Sequence, residues 1–394
     1  MQFNVNEILI SLSQSLDFAE KGILRNNTNH GMRVAYIAGR IAAELKMPDE
    51  DLFDLISYSL LHDNGVMSAL LQHNFRDEYR AENDPIHCEV GEKNISTFPF
   101  LRPEQNVILY HHEHYDGSGF FGIAGRDIPR YSLVIALADL VAIRYAAGWS
   151  SDEIVSFVDG SAHYFDPVTR EAFRELSGYV EFWLGMDDMF VRGSLLSMLP
   201  QVSTELDFKE LRKISQIFSR IIDSKSPFTG SHSRGISEKA GFICQYYEFD
   251  DKTYWKMRIA ADLHDLGKLA VPNEILDKPG KLDRKEFQVI QSHPFYTRKV
   301  LGVIEGFEDI TEWASNHHEK LNGSGYPYGI DKSRLDFNSR ILACVDIYQA
   351  LTEDRPYRGA MSHKDAIGIM TDMASQNLIE ATVVEDMNSI FSDQ

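Results

Sequence analysis

Two short runs of the 394-residue chain place neighbouring histidines and a glutamate ahead of a glycine turn: HHEHYDGSGFF at 111–121 and HHEKLNGSGYP at 317–327. Imidazoles are costly to bury unless each finds a partner, and glycines beside them let the backbone come close to a ligand. A metal ion or another ligand is the first expectation for such a stretch.

Each run belongs to a longer repeat. Before the first lie His30 in NTNHGMRVAYIAGRIAAEL, His62 and Asp63 in LLHDNGV, and His87 in PIHCEVG; Asp139 in IALADLVAI follows it. Before the second lie His232 in TGSHSRGISEKAGFI, His264 and Asp265 in LHDLGKLAVP, and His293 in QSHPFY; Asp346 in LACVDIYQAL follows. His30 to His62 and His232 to His264 are both 32 residues apart, and His87 to His111 and His293 to His317 are both 24 apart. The other two gaps, 25 against 29 and 27 against 28, fit small loop insertions. Ten of the 14 histidines fall in these two sets, so His73, His114, His163 and His363 are read as ordinary surface or core residues.

Imidazoles and carboxylates without thiolate suit iron, manganese, zinc or nickel better than calcium or magnesium. Seven ligands exceed one tetrahedral site, and an Asp directly after a His, as in His264-Asp265, is placed to bridge two ions. A pair of ions about 3.5 to 4 Å apart can activate water and clamp a phosphate oxygen, the arrangement for phosphoester hydrolysis.

Helices must position these ligands. MRVAYIAGRIAAEL, SLVIALADLVAIRYA, ISEKAGFICQYY and ILACVDIYQAL carry apolar residues at helical spacing, and few segments alternate as strands do, so the chain is expected to be all-α. Asp166-Pro167 should open a further helix through TREAFREL. Gly, Pro and Ser breaks around 190–207 place the boundary between two tandem domains, 1–200 and 201–394.

The charge narrows the partners. Lys+Arg 39 against Asp+Glu 59 gives −20, which argues against broad attraction to DNA, RNA or anionic membrane. No apolar run reaches the roughly 18 to 20 residues of a membrane span, and MQFNVNEILI lacks the layout of a signal peptide; the expectation is a cytoplasmic protein. Cys88, Cys244 and Cys344 are odd in number and far apart, so they read as core-filling thiols rather than a disulfide framework or thiolate zinc site.

HDLGK, HHEKLNGSGYP and VDIYQALTEDRPYR together resemble the motifs of the HD-GYP phosphodiesterases, a branch of the HD metal-dependent phosphohydrolases, over nearly all of residues 207–360. The resemblance implies helical bundles with a buried metal centre in each repeat and hydrolysis of a cyclic dinucleotide, cyclic di-GMP or 3',3'-cyclic GMP-AMP, to the linear dinucleotide. It implies two divalent transition-metal ions per site, iron or manganese first, with nickel or zinc as alternatives. One ion would be held by His232, His264, Asp265 and Asp346, the other by Asp265, His293, His317 and His318. Lys268 would meet the scissile phosphate, and Arg355 and Arg358 the second phosphate or a guanine edge. Gly323, Gly325, Tyr326 and Pro327 would shape the loop bounding the substrate. A homodimer or a signalling-protein partner is a further expectation.

Some positions depart from the family pattern. Asn322 stands where HHExxDGxGYP has aspartate, and Phe228 stands where some members carry a glutamate for a third ion. The first repeat keeps seven ligand types in His30, His62, Asp63, His87, His111, His112 and Asp139, but GYP becomes Gly119-Phe120-Phe121 and the lysine becomes Val66. The first repeat is therefore expected to bind ions with weak or no hydrolysis. Competing readings are a non-hydrolytic nucleotide sensor with structural metals and a di-iron oxygenase, the latter disfavoured by the GYP and DRPYR motifs.

Overall fold

The computed structural model describes residues 5–24, 29–72, 85–200, 206–226, 232–354 and 359–392. Arg355, Arg358, Phe228 and His73 lie outside the described residues. Among those described, the regular elements are helices and there is no strand. None of these helices is long and apolar enough to cross a membrane. The chain divides into two compact units, Gln2–Glu205 and Leu206–Gln394.

Both units are built on the same four helices. In the first, His30–Glu44 packs against Asp49–Leu61 and Arg130–Ala146, and Val5–Leu24 lies against Asp49–Leu61. In the second, His232–Tyr246 packs against Asp251–Leu263 and Phe337–Thr352, and Phe208–Asp223 lies against Asp251–Leu263. The helical periodicity of the sequence explains these contacts: Val34, Ile37 and Ile41 in one unit, and Ile236, Ala240 and Ile243 in the other, are fully buried along one stripe. A large apolar side chain buried in this way stabilises by about 1.5–3 kcal/mol, so the ligand-bearing helices are held by their cores.

Side-chain caps set several helix starts. Asp207 accepts from Lys209 N and Glu210 N and forms a capping box with Glu210, while Asp250 caps at Thr253 N and Asp336 at Ser339 N. Each cap is worth about 1 kcal/mol. Asp166 accepts from Thr169 N ahead of Pro167–Ser177, the start expected from Asp-Pro. The stretch 190–207, read as broken, contains the helix Val191–Met198. Gly193 and the serines do not break it because Val191 and Leu195 are fully buried and anchor one face.

Candidate metal centres

The ligand candidates sit where helices begin, end or face inward. His30 and His232 open their helices, His62 and His264 follow the ends of Asp49–Leu61 and Asp251–Leu263, and Asp139 and Asp346 lie within Arg130–Ala146 and Phe337–Thr352. His87 is in the first turn of Ile86–Asn94 and His293 opens His293–Leu301. His317 and His318 come just after Glu308–Ser315.

The ends of these turns also orient the rings. Carbonyls in a helix's last turn lack an intrahelical partner, and four histidines supply one, with His111 doing the same for Ile108 in a turn outside the helices. His62 Nδ1 donates to Ser59 O, His111 to Ile108 O, His264 to Ala261 O, His293 to Ile290 O and His317 to Ala314 O, all at 2.6–2.8 Å. A carbonyl can only accept, so each Nδ1 carries the proton and Nε2 is the ring nitrogen left to face inward, where a metal would take it.

Glycine lets the turns meet. A Cβ on Gly267 would come within 1.9 Å of His293 O, and one on Gly65 within 2.0 Å of His87 O. The glycine of HDLGK and of HDNGV thus allows the His-Asp turn to touch the turn bearing the next histidine. That turn is a 3-10 segment, Leu266–Ala270, rather than α-helix, with Lys268 N bonded to Asp265 O.

In the second unit Asp265 is central. Its Oδ2 is 3.1 Å from His264 Nε2 and 2.6 Å from Lys268 Nζ; its Oδ1 is 3.3 Å from His293 Nε2 and 3.8 Å from His317 Nε2. His232 Nε2 lies 3.4 Å from Asp346 Oδ1, and His318 Nδ1 lies 4.0 Å from Asp346 Oδ2. The structure therefore brings together all seven expected residues, with one Asp265 oxygen toward each subset. Burial alone would raise Asp265, yet the charges of His264 and Lys268 hold it well below the usual carboxylate range. Burial pushes His293 down, and burial with the neighbouring His264 pushes His317 down to about 3, so both rings are neutral.

The residues fit cations. His293 Nε2 and His317 Nε2 face each other at 3.2 Å, both as bare lone pairs because both Nδ1 protons are committed to carbonyls. Two acceptors at that separation repel unless a positive group lies with them. His264 Nε2 and Asp265 Oδ1 are also buried without a hydrogen-bond partner, as are His62 Nε2, Asp63 Oδ1, His111 Nε2, His112 Nε2 and Asp139 Oδ1 in the first unit. A buried group left unsatisfied costs about 1–3 kcal/mol, and converging acceptors of this kind are what a divalent ion satisfies.

The first unit repeats the geometry with differences. Asp63 Oδ2 is 3.2 Å from His62 Nε2 and 3.8 Å from His30 Nε2, Asp63 Oδ1 is 3.8 Å from His87 Nε2 and from His111 Nε2, and His30 Nε2 is 3.1 Å from Asp139 Oδ1. Val66, at the place of Lys268, is buried. A cavity of about 300 Å³ reaches His111, His112 and Asp139 and is lined by Phe120, Arg144 and Tyr164. His114, expected to be an ordinary histidine, also lines it and stacks on Tyr164 with ring centroids 4.2 Å apart.

The loop after the paired histidines is the same device twice. Glu319 Oε1 accepts from Tyr328 N and Oε2 from Ile330 N; Glu113 does the same with Phe121 N and Ile123 N. The glutamate of HHE therefore ties the loop rather than reaching the ligand cluster. Asn322 Oδ1 accepts from Ser324 N and Oγ at 3.0 and 2.6 Å, as Asp116 does from Ser118, and both are exposed. The amide thus makes the turn that the carboxylate makes. Gly323 has φ 76° in that turn, and a Cβ on Gly325 would meet Lys320 N at 2.4 Å. The loop lays Tyr326 on His318 with ring centroids 4.7 Å apart, ahead of Pro327; in the first unit Phe120 meets His112 edge-on at 5.9 Å.

Sequence reasoning missed two partners of the second cluster. Glu353 Oε2 accepts from His232 Nδ1 at 2.8 Å, and Asp223 accepts from Ser233 Oγ at 2.6 Å next to His232. Glu353 lies in the TEDRPYR run, seven residues after Asp346, which is two helical turns and was the available signal.

Comparison with known proteins adds to this geometry. A family described as HD domain matches residues 12–153 and again 216–383. The chain is 30% identical over 402 residues to 3'3'-cGAMP-specific phosphodiesterase 1 of Vibrio cholerae, covering 98% of this chain and 92% of that protein. It is 28% identical to 3'3'-cGAMP-specific phosphodiesterase 3 of the same organism, covering 94% and 91%. A cyclic di-GMP phosphodiesterase of Pseudomonas aeruginosa is 31% identical over 170 residues, 43% of this chain and 41% of that one. The crystal structure of a cyclic GMP-AMP specific phosphodiesterase from V. cholerae superposes with a TM-score of 0.68 at 24% identity, covering 100% of this chain and 99% of that chain, a likeness of fold.

Proposed function

The chain belongs to the HD domain family, and from that premise we propose that it is a metal-dependent phosphodiesterase that opens a cyclic dinucleotide to the linear dinucleotide at the centre of its second unit. The observation that carries the assignment to that unit is Lys268 beside Asp265, at 2.6 Å, among a full ligand set. The first unit has the apolar Val66 at that place.

His232, His264, Asp265 and Asp346 would hold one ion, and Asp265, His293, His317 and His318 the other, with iron or manganese favoured by the nitrogen and carboxylate donors. When bound, such ions supply Lewis-acid charge to the phosphoryl group and lower the pKa of water at the site. Lys268, only partly buried, is free to turn from Asp265 toward a phosphoryl oxygen and stabilise the charge that develops there. Glu319 holds the loop that places Tyr326 against His318, so one wall of the substrate site is positioned before binding. Burial raises the Tyr326 phenol, which keeps it a hydrogen-bond donor at neutral pH.

The substrate favoured is 3',3'-cyclic GMP-AMP. The two relatives matched across both units are named as cGAMP-specific, whereas the cyclic di-GMP phosphodiesterase of P. aeruginosa matches less than half of the chain. The sensor reading loses one of its supports, because Asn322 makes the same turn as aspartate and lies exposed. The test is product chromatography after incubating metal-loaded protein with each of the two cyclic dinucleotides. Linear product from 3',3'-cyclic GMP-AMP, formed faster than from cyclic di-GMP, supports the reading; binding without cleavage of either supports the sensor.

A further inference from the structure

The two centres differ at one pole in a way that the repeat itself exposes. In the second unit that pole is His293, His317 and His318, and the residue after His293 is Pro294. In the first unit the corresponding group is His87, Cys88, His111 and His112, whose ligand atoms all lie within 4.8 Å of one another. Cys88 Sγ is 3.4 Å from His87 Nε2, and Cys88 is fully buried. His111, also fully buried, turns an Nε2 without a hydrogen-bond partner into the same space. Cys244 and Cys344 are buried too, but neither is in a cluster of potential metal ligands among the described residues.

We infer that Cys88 is a thiolate ligand, completing with His87, His111 and His112 a three-imidazole, one-sulfur site for a zinc-like ion in the first unit. Four protein donors make a closed tetrahedral set, the form of structural zinc sites, and the soft sulfur selects zinc or cobalt over manganese. On ion binding the S–H bond breaks, the sulfur–metal bond forms and the proton passes to solvent, with no change of oxidation state. The first unit thus offers this ion four donors besides Asp63, where the second offers three besides Asp265. This goes beyond the expectation that Cys88 fills the core, where it is indeed buried, and it stands whether or not the second unit hydrolyses cyclic dinucleotides.

The experiment uses the full chain, stripped with chelator and reloaded with cobalt(II) alone, without substrate. Wild-type protein and Cys244→Ser should both show a thiolate-to-cobalt charge-transfer band in the near ultraviolet, and Cys88→Ser should lack it. Zinc affinity of the first unit should fall at least about 10-fold in Cys88→Ser, the scale on which ligand-sphere losses act. A band absent from wild type, or persisting in Cys88→Ser, overturns the assignment. Should Cys88→Ser fail to fold, zinc K-edge absorption of the wild type decides: a sulfur neighbour at about 2.3 Å is expected, and a shell of nitrogen and oxygen only overturns it.

Discussion

Lys268 Nζ lies 2.6 Å from Asp265 Oδ2, whereas Val66, the residue at the same place in the repeat, sits buried beside Asp63 with no charge to offer. The same helical frame therefore carries two ligand clusters that differ in what they can do to a phosphate.

Replacing the lysine should separate binding of ions from chemistry. Lys268→Ala is expected to keep its metal content and lose roughly 10²-fold in turnover, the scale of removing one charge-stabilising donor. Metal analysis and initial rates check this together. Unchanged turnover would make Lys268 only a partner of Asp265.

Gly267→Ala should damage the centre without touching a ligand. The added Cβ would fall 1.9 Å from His293 O and 2.9 Å from Thr297 N, both backbone atoms, so the turn and helix His293–Leu301 must part. Overpacking of this kind costs about 1–3 kcal/mol. A lowered melting temperature and reduced metal loading are expected; a melting curve identical to wild type contradicts the close approach.

Much of this was legible in the sequence because ligands are set by residue type and spacing, and the repeat supplied an internal control. The equal 32-residue intervals correspond to the same helix pair traversed twice, His30–Glu44 with Asp49–Leu61 and His232–Tyr246 with Asp251–Leu263, and the equal 24-residue intervals both start in the first turn of a nine-residue helix, Ile86–Asn94 or His293–Leu301. What stayed hidden depends on three-dimensional approach. Glu319 and Glu113 stand beside histidine pairs yet turn to the loop backbone, and Glu353 reaches His232 from 121 residues away. Cys88 read as core filling because its neighbours in the chain say nothing of His111 and His112, which the fold brings to it.

A buried lysine away from the ligand clusters gives a pH signature of the second unit. Lys225 donates to Leu269 O at 2.7 Å, and burial pushes its ammonium down to about 8. Below pH 8 the fold carries the cost of a buried cation; between pH 8 and the unfolded value of 10.5 the unfolded state binds more protons, so this group's contribution to stability rises with pH. The span is on the order of 3 kcal/mol. Comparing wild type with Lys225→Met removes the other titrating groups from view: wild type should gain on the variant from pH 7 to pH 10. A difference in melting temperature that is flat with pH would show that Lys225 titrates normally.

The most direct measurement compares His62→Ala/Asp63→Ala with His264→Ala/Asp265→Ala in metal content and in initial rate of 3',3'-cyclic GMP-AMP cleavage. Each pair removes the residue whose carboxylate lies between the two subsets of its own unit, so each should lower metal content. Cleavage should be abolished in the second pair and only moderately reduced in the first, through loosening of a bundle that has lost its ion. Cleavage lost in the first pair and retained in the second would place the hydrolytic centre in the other half of the chain.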